Sequence, residues 1–134
     1  MAKLRTTPTD TQIRVCSITL GECEAGLKMT TSTDTRKRDS YRSFVIAELH
    51  YLALEVGIST AVSYAEIMSR IWRKHPPAKS SIRTDAHLVS LGVDMNDVWL
   101  FAVAWEHGLT LLTTDNMRVL RECVPDVALD NWLT

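Results

Sequence analysis

A chain of 134 residues that is 46% hydrophobic is long enough for one domain with a packed core, which excludes global disorder. No run approaches roughly 18 uninterrupted apolar residues, which excludes a membrane-spanning helix, and "MAKLRTTPTD" lacks the apolar centre of a signal peptide. The net charge of −1 hides an asymmetry, because residues 1–83 carry 13 Lys and Arg against 8 acids while residues 84–134 carry 2 against 8.

A basic surface beside an acidic site suits metal-dependent chemistry on phosphates. Charge scattered over solvated helix faces is the plainer reading, and composition leaves both open. Cys16, Cys23 and Cys123 have no metal-ligand spacing and read as reduced thiols of a cytoplasmic protein. The four histidines, His50, His75, His87 and His107, share no metal spacing either.

Residues 1–12 read as a polar N-terminal segment. "IRVCSITL" at 13–20 is β-branched and predicts a short buried strand. "TLGECEAGLKM" predicts a helix, with Thr19 and Glu22 spaced as a capping box. "TSTDTRKRDS" at 31–40 reads as a polar, basic loop. "YRSFVIAELHYLALEVG" predicts a long helix over 41–57 ended by Gly57. "IST" reads as a short strand or turn.

In "SYAEIMSRIWRKH", Ser63 and Glu66 form a second capping-box pair. Tyr64, Ile67, Met68, Ile71 and Trp72 form one helical stripe. "PPAKSS" breaks the chain, and "TDAHLVSLG" predicts a short helix. Asn96 then caps a helix from Asp97 to His107, closed by Gly108. "LTLLTT" at 109–114 predicts a strand, "DNMRVLREC" a short helix, and "VALDNWL" at 127–133 a closing strand. Strands alternating with helices predict an α/β domain with a short parallel sheet.

Three acids stand out in this pattern. Glu22 and Asp115 each lie just past a strand, and Asp97 lies in the first turn of an apolar helix. In a parallel sheet, strand C-termini and the following helix N-termini share one edge. Carboxylates gathered there repel unless a cation sits between them, and hard oxygen ligands suit Mg²⁺ or Mn²⁺. Each acid alone is also explained by capping or by the helix dipole.

The chain resembles the PIN domain, specifically the VapC-like toxins of toxin–antitoxin pairs. "ITLGECEAG" is similar to the family's "ITLAELxxG" segment. "GVDMNDVWLFAVAWEHGLTLLTTDNMRVL" is similar to its "G..NDxxIAAxAxxxGxxLvTxDxxF" stretch, and "VPDVALDNW" to its closing strand. The resemblance covers residues 13–134 of a single PIN-like domain. It implies a three-layer α/β/α fold and a metal-dependent endoribonuclease in which an ion-activated water attacks an RNA phosphodiester. It implies Glu22, Asp97 and Asp115 as catalytic metal ligands for Mg²⁺ or Mn²⁺, with Asn96 and Thr113 as helpers. It implies a small antitoxin protein as partner, and commonly a homodimer. Arg36, Lys37, Arg38, Arg42 and the basic stretch at 70–83 become candidate RNA-backbone contacts, with solvated surface charge as the plainer reading.

The start departs from the family. PIN domains open with a hydrophobic strand, roughly "xxLLDTNVLI", whose Asp is a metal ligand. Asp10 in "TPTDTQ" lies in a polar context and only 12 residues before Glu22. The N-terminal strand and its Asp are therefore expected to be missing. A truncated or degenerate member is the favoured explanation, beside a strand supplied by a partner and a catalytically weak member with a rebuilt start. A non-catalytic protein that binds an antitoxin or another protein is the alternative to the nuclease.

Overall fold

The computed structural model describes residues 11–29, 35–44, 47 and 52–131. Residues 1–10, including Asp10, residues 30–34, most of 45–51, and 132–134 of the closing strand lie outside the described residues. Two compact units divide at Val56–Gly57.

The first unit holds β1 (Val15–Cys16), α1 (Ser17–Met29), α2 (Thr35–Phe44) and β2 (Ala53–Leu54). β1 and β2 run parallel, with Val15 opposite Ala53 and Cys16 opposite Leu54. The strand expected over 13–20 is thus only two residues long, and its second half is helical. Ile18 and Thr19 favour strand by local preference, but that preference is worth under about 1 kcal/mol and yields to tertiary context. The helix already starts at Ser17, so Thr19 is no cap and Glu22 no capping-box partner.

The loop expected over 31–40 is corrected from Thr35 on, since Thr35–Phe44 is a helix with no buried residue, and 31–34 lie outside the described residues. Its Arg and Lys are good helix formers, which outweighs the polar, loop-like composition. The helix expected through 41–57 does not extend that far, because β2 intervenes at Ala53–Leu54.

The second unit opens with α3 (Ile58–Lys74), so "IST" is helix rather than strand or turn. Gly57 starts this helix instead of ending the previous one. Its N–H donates to Thr60 Oγ1 at 3.0 Å, and the Thr60 hydroxyl donates to Glu106. The expected cap at Ser63 is therefore internal. The expected stripe holds: Ile67 and Ile71 are fully buried, with Tyr64, Met68 and Trp72 packed beside them.

Next come α4 (Thr84–Ser90) and α5 (Met95–Glu106). α5 is apolar on nearly every side, and Val98, Phe101, Ala102, Val103 and Ala104 are buried, as expected of a core helix. α3 packs on α5 more extensively than any other pair of elements. Two aromatic contacts flank that seam. Tyr64 stacks on Trp99 with ring centroids 3.9 Å apart, and the Arg70 guanidinium lies 4.6 Å from the Trp105 ring centre. Burial pushes the Tyr64 hydroxyl pKa up. Gly108 adopts φ 61 and lets Leu109 N–H close on Ala104 O at 2.8 Å, the left-handed helix stop expected there.

β3 (Leu111–Leu112), α6 (Arg118–Cys123) and β4 (Leu129–Asp130) complete the unit. β3 and β4 pair in parallel, with Leu111 opposite Leu129. The three cysteines are free thiols, and burial raises the Cys123 pKa, which keeps it protonated. No single helix among the described residues is long and apolar enough to cross a membrane.

Arg70 ties α3 to the end of α6. It donates to Asp126 at 2.5 Å and to Cys123 O at 3.4 Å. The Arg70 hydrogen bond holds the Asp126 carboxyl below its ordinary pKa. A carboxylate with a depressed folded-state pKa adds stability above its unfolded pKa and loses it as pH falls through the folded one. The pair is partly exposed, so screening limits it to about 1 kcal/mol or less. Asp126→Asn is expected to cost up to that much at pH 7 and nothing in strong acid, read from urea midpoints. An equal deficit at both pH values would contradict the pairing.

Candidate functional site

α5 begins at a cap two residues earlier than the sequence suggests. The Asp94 carboxylate accepts the Asn96 N–H at 2.7 Å, so Asp94 is the N-cap and Asn96 is already helical. Asp94 has the extended backbone that a cap needs, with φ −83 and ψ 137. Asp97 remains in the first helical turn, where the positive end of the helix dipole favours a carboxylate. It is half-buried.

Asp115 is positioned by a turn rather than by a helix start. Thr113 N–H donates to Asp130 O at 3.1 Å, which fastens the turn to β4. The Thr113 hydroxyl oxygen accepts the Asp115 N–H at 3.0 Å, and Asp115 Oδ1 accepts the Asn116 N–H at 2.7 Å. These local bonds compete with helix and delay α6 to Arg118. Met117 between them has φ 44 and ψ 44, a left-handed conformation costing a non-glycine residue about 1–2 kcal/mol. Burial of Val119 and Leu120 directly after it holds the backbone there.

The consequence is that Asp97 and Asp115 line one cleft of about 250 Å³, with Gly92, Asn116 and Arg118. Asp115 also borders a second cleft of about 290 Å³, with Thr113, Asp130, Asn131 and Arg121. Among the described residues, no group of three or more His, Cys, Asp or Glu side chains is placed to hold a metal ion. Two carboxylates on one cleft nevertheless fit Mg²⁺, which keeps most of its waters and is commonly held by one or two of them.

The other expected site residues fall as follows. Glu22 is exposed on α1, in the first unit. Asn96 and Thr113 are half-buried. Arg36, Lys37 and Arg42 are exposed on α2, and Arg38 is half-buried there. The stretch at 70–83 is largely neutralised. Arg70 and Arg73 pair with Glu66, Lys74 with Glu122, and Arg83 with Asp85. Arg118 and Arg121 were not among the expected site residues. The signal was there: they are the two cations of residues 84–134, and both follow Asp115 within six positions.

Comparison with known proteins bears on the family and the fold. The sequence model of the PIN domain matches residues 2–121. The match starts earlier than the 13–134 span of the sequence resemblance. No curated protein matches the chain. VapBC2 from Rickettsia felis, solved bound to a DNA fragment from the promoter, is similar in fold, with a TM-score of 0.67 at 18% identity over 98% of this chain and 83% of that one. FitAcB from Neisseria gonorrhoeae is similar with a TM-score of 0.63 at 19% identity over 97% of this chain and 81% of that one. The fold is the PIN fold, α/β with short parallel strands. With a family match over most of its length and this fold, the chain belongs to the PIN domain family.

Proposed function

We propose that the protein is a divalent-metal-dependent endoribonuclease of the toxin–antitoxin type. One observation carries this reading: Asp97 and Asp115, from separate elements, line a single cleft. A bound Mg²⁺ or Mn²⁺ supplies a polarised water and offsets charge developing on a phosphate. The chain's own residues do the rest. Asp97 and Asp115 would hold the ion, and the Thr113 hydroxyl fixes the turn that carries Asp115. Glu22 is the third ligand on the strength of the sequence match alone. Asn96 helps from the first turn of α5. Arg36, Lys37, Arg38 and Arg42 attract the RNA backbone by charge.

The similarity to VapBC2 and FitAcB supports a small antitoxin as partner. Self-association as a homodimer and a reducing, cytoplasmic setting complete the reading, the latter in keeping with three free thiols.

Purified full-length protein is expected to cleave single-stranded RNA with Mg²⁺ or Mn²⁺ and to stop when EDTA is added. Cleavage that persists in EDTA contradicts the metal assignment. A second reading, a non-catalytic PIN protein that binds an antitoxin, is favoured by the absence of a three-ligand group among the described residues. Antitoxin binding without cleavage in either ion would establish it.

A further inference from the structure

We propose that Arg118 and Arg121 grip a single RNA strand on either side of Asp115, each taking a backbone phosphate in its own cleft. The proposal rests on the nuclease reading and specifies how that site takes its substrate.

The charge distribution is the first argument. Residues 84–134 carry 8 acids, which together repel a polyanion, and their 2 cations are these arginines. Both stand on α6, directly after the turn that bears Asp115. Among the side chains of this segment, these two guanidinium groups are the permanent positive charges a phosphate can meet.

Placement is the second argument. Arg118 lines the cleft shared with Asp97, and Arg121 lines the neighbouring cleft with Thr113, Asp130 and Asn131. The two clefts have Asp115 and Asn116 in common, so a strand crossing that turn meets one guanidinium before it and one after it. Residues three apart on a helix have Cβ atoms about 5–6 Å apart, close enough to serve neighbouring phosphates of one strand. Duplex RNA presents its phosphates around a wide helix rather than through two adjoining clefts.

Availability is the third argument. Arg121 makes no side-chain hydrogen bond or ion pair among the described residues; its N–H donates to Met117 O at 2.9 Å. Arg118 is 68% exposed and meets Glu122 at 3.7 Å, a contact weak enough to exchange for phosphate. The contrast is Arg70, held by two carboxylates and a carbonyl. Buried Val119, Leu120 and Cys123 hold α6 in place, so the arginines project from a rigid element.

The test is binding, read separately from cleavage. Full-length protein in EDTA is titrated with a fluorescein-labelled oligouridylate of roughly 12 nucleotides, a length within ordinary single-strand site sizes. Anisotropy is followed between about 50 and 200 mM salt. Arg118→Ala and Arg121→Ala are each expected to lower the slope of log K against log salt by about 0.7, and the double variant by about 1.4. Arg118→Lys and Arg121→Lys are expected to keep the slope while weakening affinity, because a lysine keeps the charge and loses the fork. Unchanged melting temperatures identify the loss as one of binding. If the wild type binds RNA and both alanine variants share its affinity and slope, the two-arginine grip is wrong and the nuclease reading stands. Equal binding of an RNA duplex, with the same loss of slope, overturns the single-strand assignment. If the wild type neither binds nor cleaves single-stranded RNA, the nuclease reading fails and takes this proposal with it.

Discussion

Asp97→Asn is expected to lower Mg²⁺-dependent RNA cleavage by on the order of 10³-fold. Charge stabilisation by a correctly held metal is worth several kcal/mol in the transition state, and each 1.4 kcal/mol is about tenfold in rate. Asparagine keeps the size and one oxygen but removes the negative charge that an ion held as proposed would need. The helix itself survives the change, because its cap is Asp94 and not Asp97. The lost dipole interaction costs about 0.3–1 kcal/mol of stability. Single-turnover cleavage, beside a thermal melt, separates the two effects. Asp115→Asn is expected to behave alike, since both carboxylates face the same cleft. A double variant no slower than either single one would show that they act as a unit. Wild-type cleavage by Asp97→Asn removes the cleft from the mechanism.

That Asp97 and Asp115 stand on one cleft was legible in the sequence, because their spacing rides on a recognisable run, "MNDVWLFAVAWEHGLTLLTTDN". α5 was legible for a physical reason. An apolar segment with Gly108 behind it has few other conformations that bury its surface. The stripe from Tyr64 to Trp72 was legible for the same reason: five apolar side chains at helical spacing need a partner, and α5 is that partner.

The first unit was less legible. "IRVCSITL" satisfies a strand by local preference, yet only Val15 and Cys16 pair with β2. Pairing depends on where residues 53–54 arrive, which no window around residue 15 contains. "TRKRDSYRSF" lacks an apolar face, so periodicity is silent about it, and its helix rests on propensity alone. Boundaries failed where side chains bond to nearby backbone. The Thr113 and Asp115 bonds convert an expected helix start into a turn, and Asp94 takes the cap from Asn96. The arginines of α6 are marked in the sequence by charge alone, as the two cations of residues 84–134, and a six-residue helix adds no periodic pattern to that. Only the clefts on either side of Asp115 give them meaning.

Phe101→Ala is expected to cost about 3–5 kcal/mol, against a total stability of about 5–15 kcal/mol for a domain of ordinary size. Phe101 is 0% exposed and is the largest of the fully buried side chains. It lies in the cluster that joins α3, α4, α5 and α6, with Ile67, Ile71, Leu88 and Val124 also fully or almost fully buried. Removing the ring leaves a cavity that the rest of the cluster, fixed on separate elements, fills only in part. The cost reaches the site as well, since α5 carries Asp97 and α6 follows the turn of Asp115. Urea denaturation of the full-length protein measures it. Ile71→Val, a smaller deletion in the same cluster, is expected to cost about 0.5–1.5 kcal/mol. Ile58→Ser, at a position 88% exposed, is expected to stay within about 0.5 kcal/mol. The order of the three matters more than any single value. If Phe101→Ala cost no more than Ile58→Ser, the α3–α5 seam would not be the core of the second unit. The placement of both carboxylates by that core would then lose its physical basis.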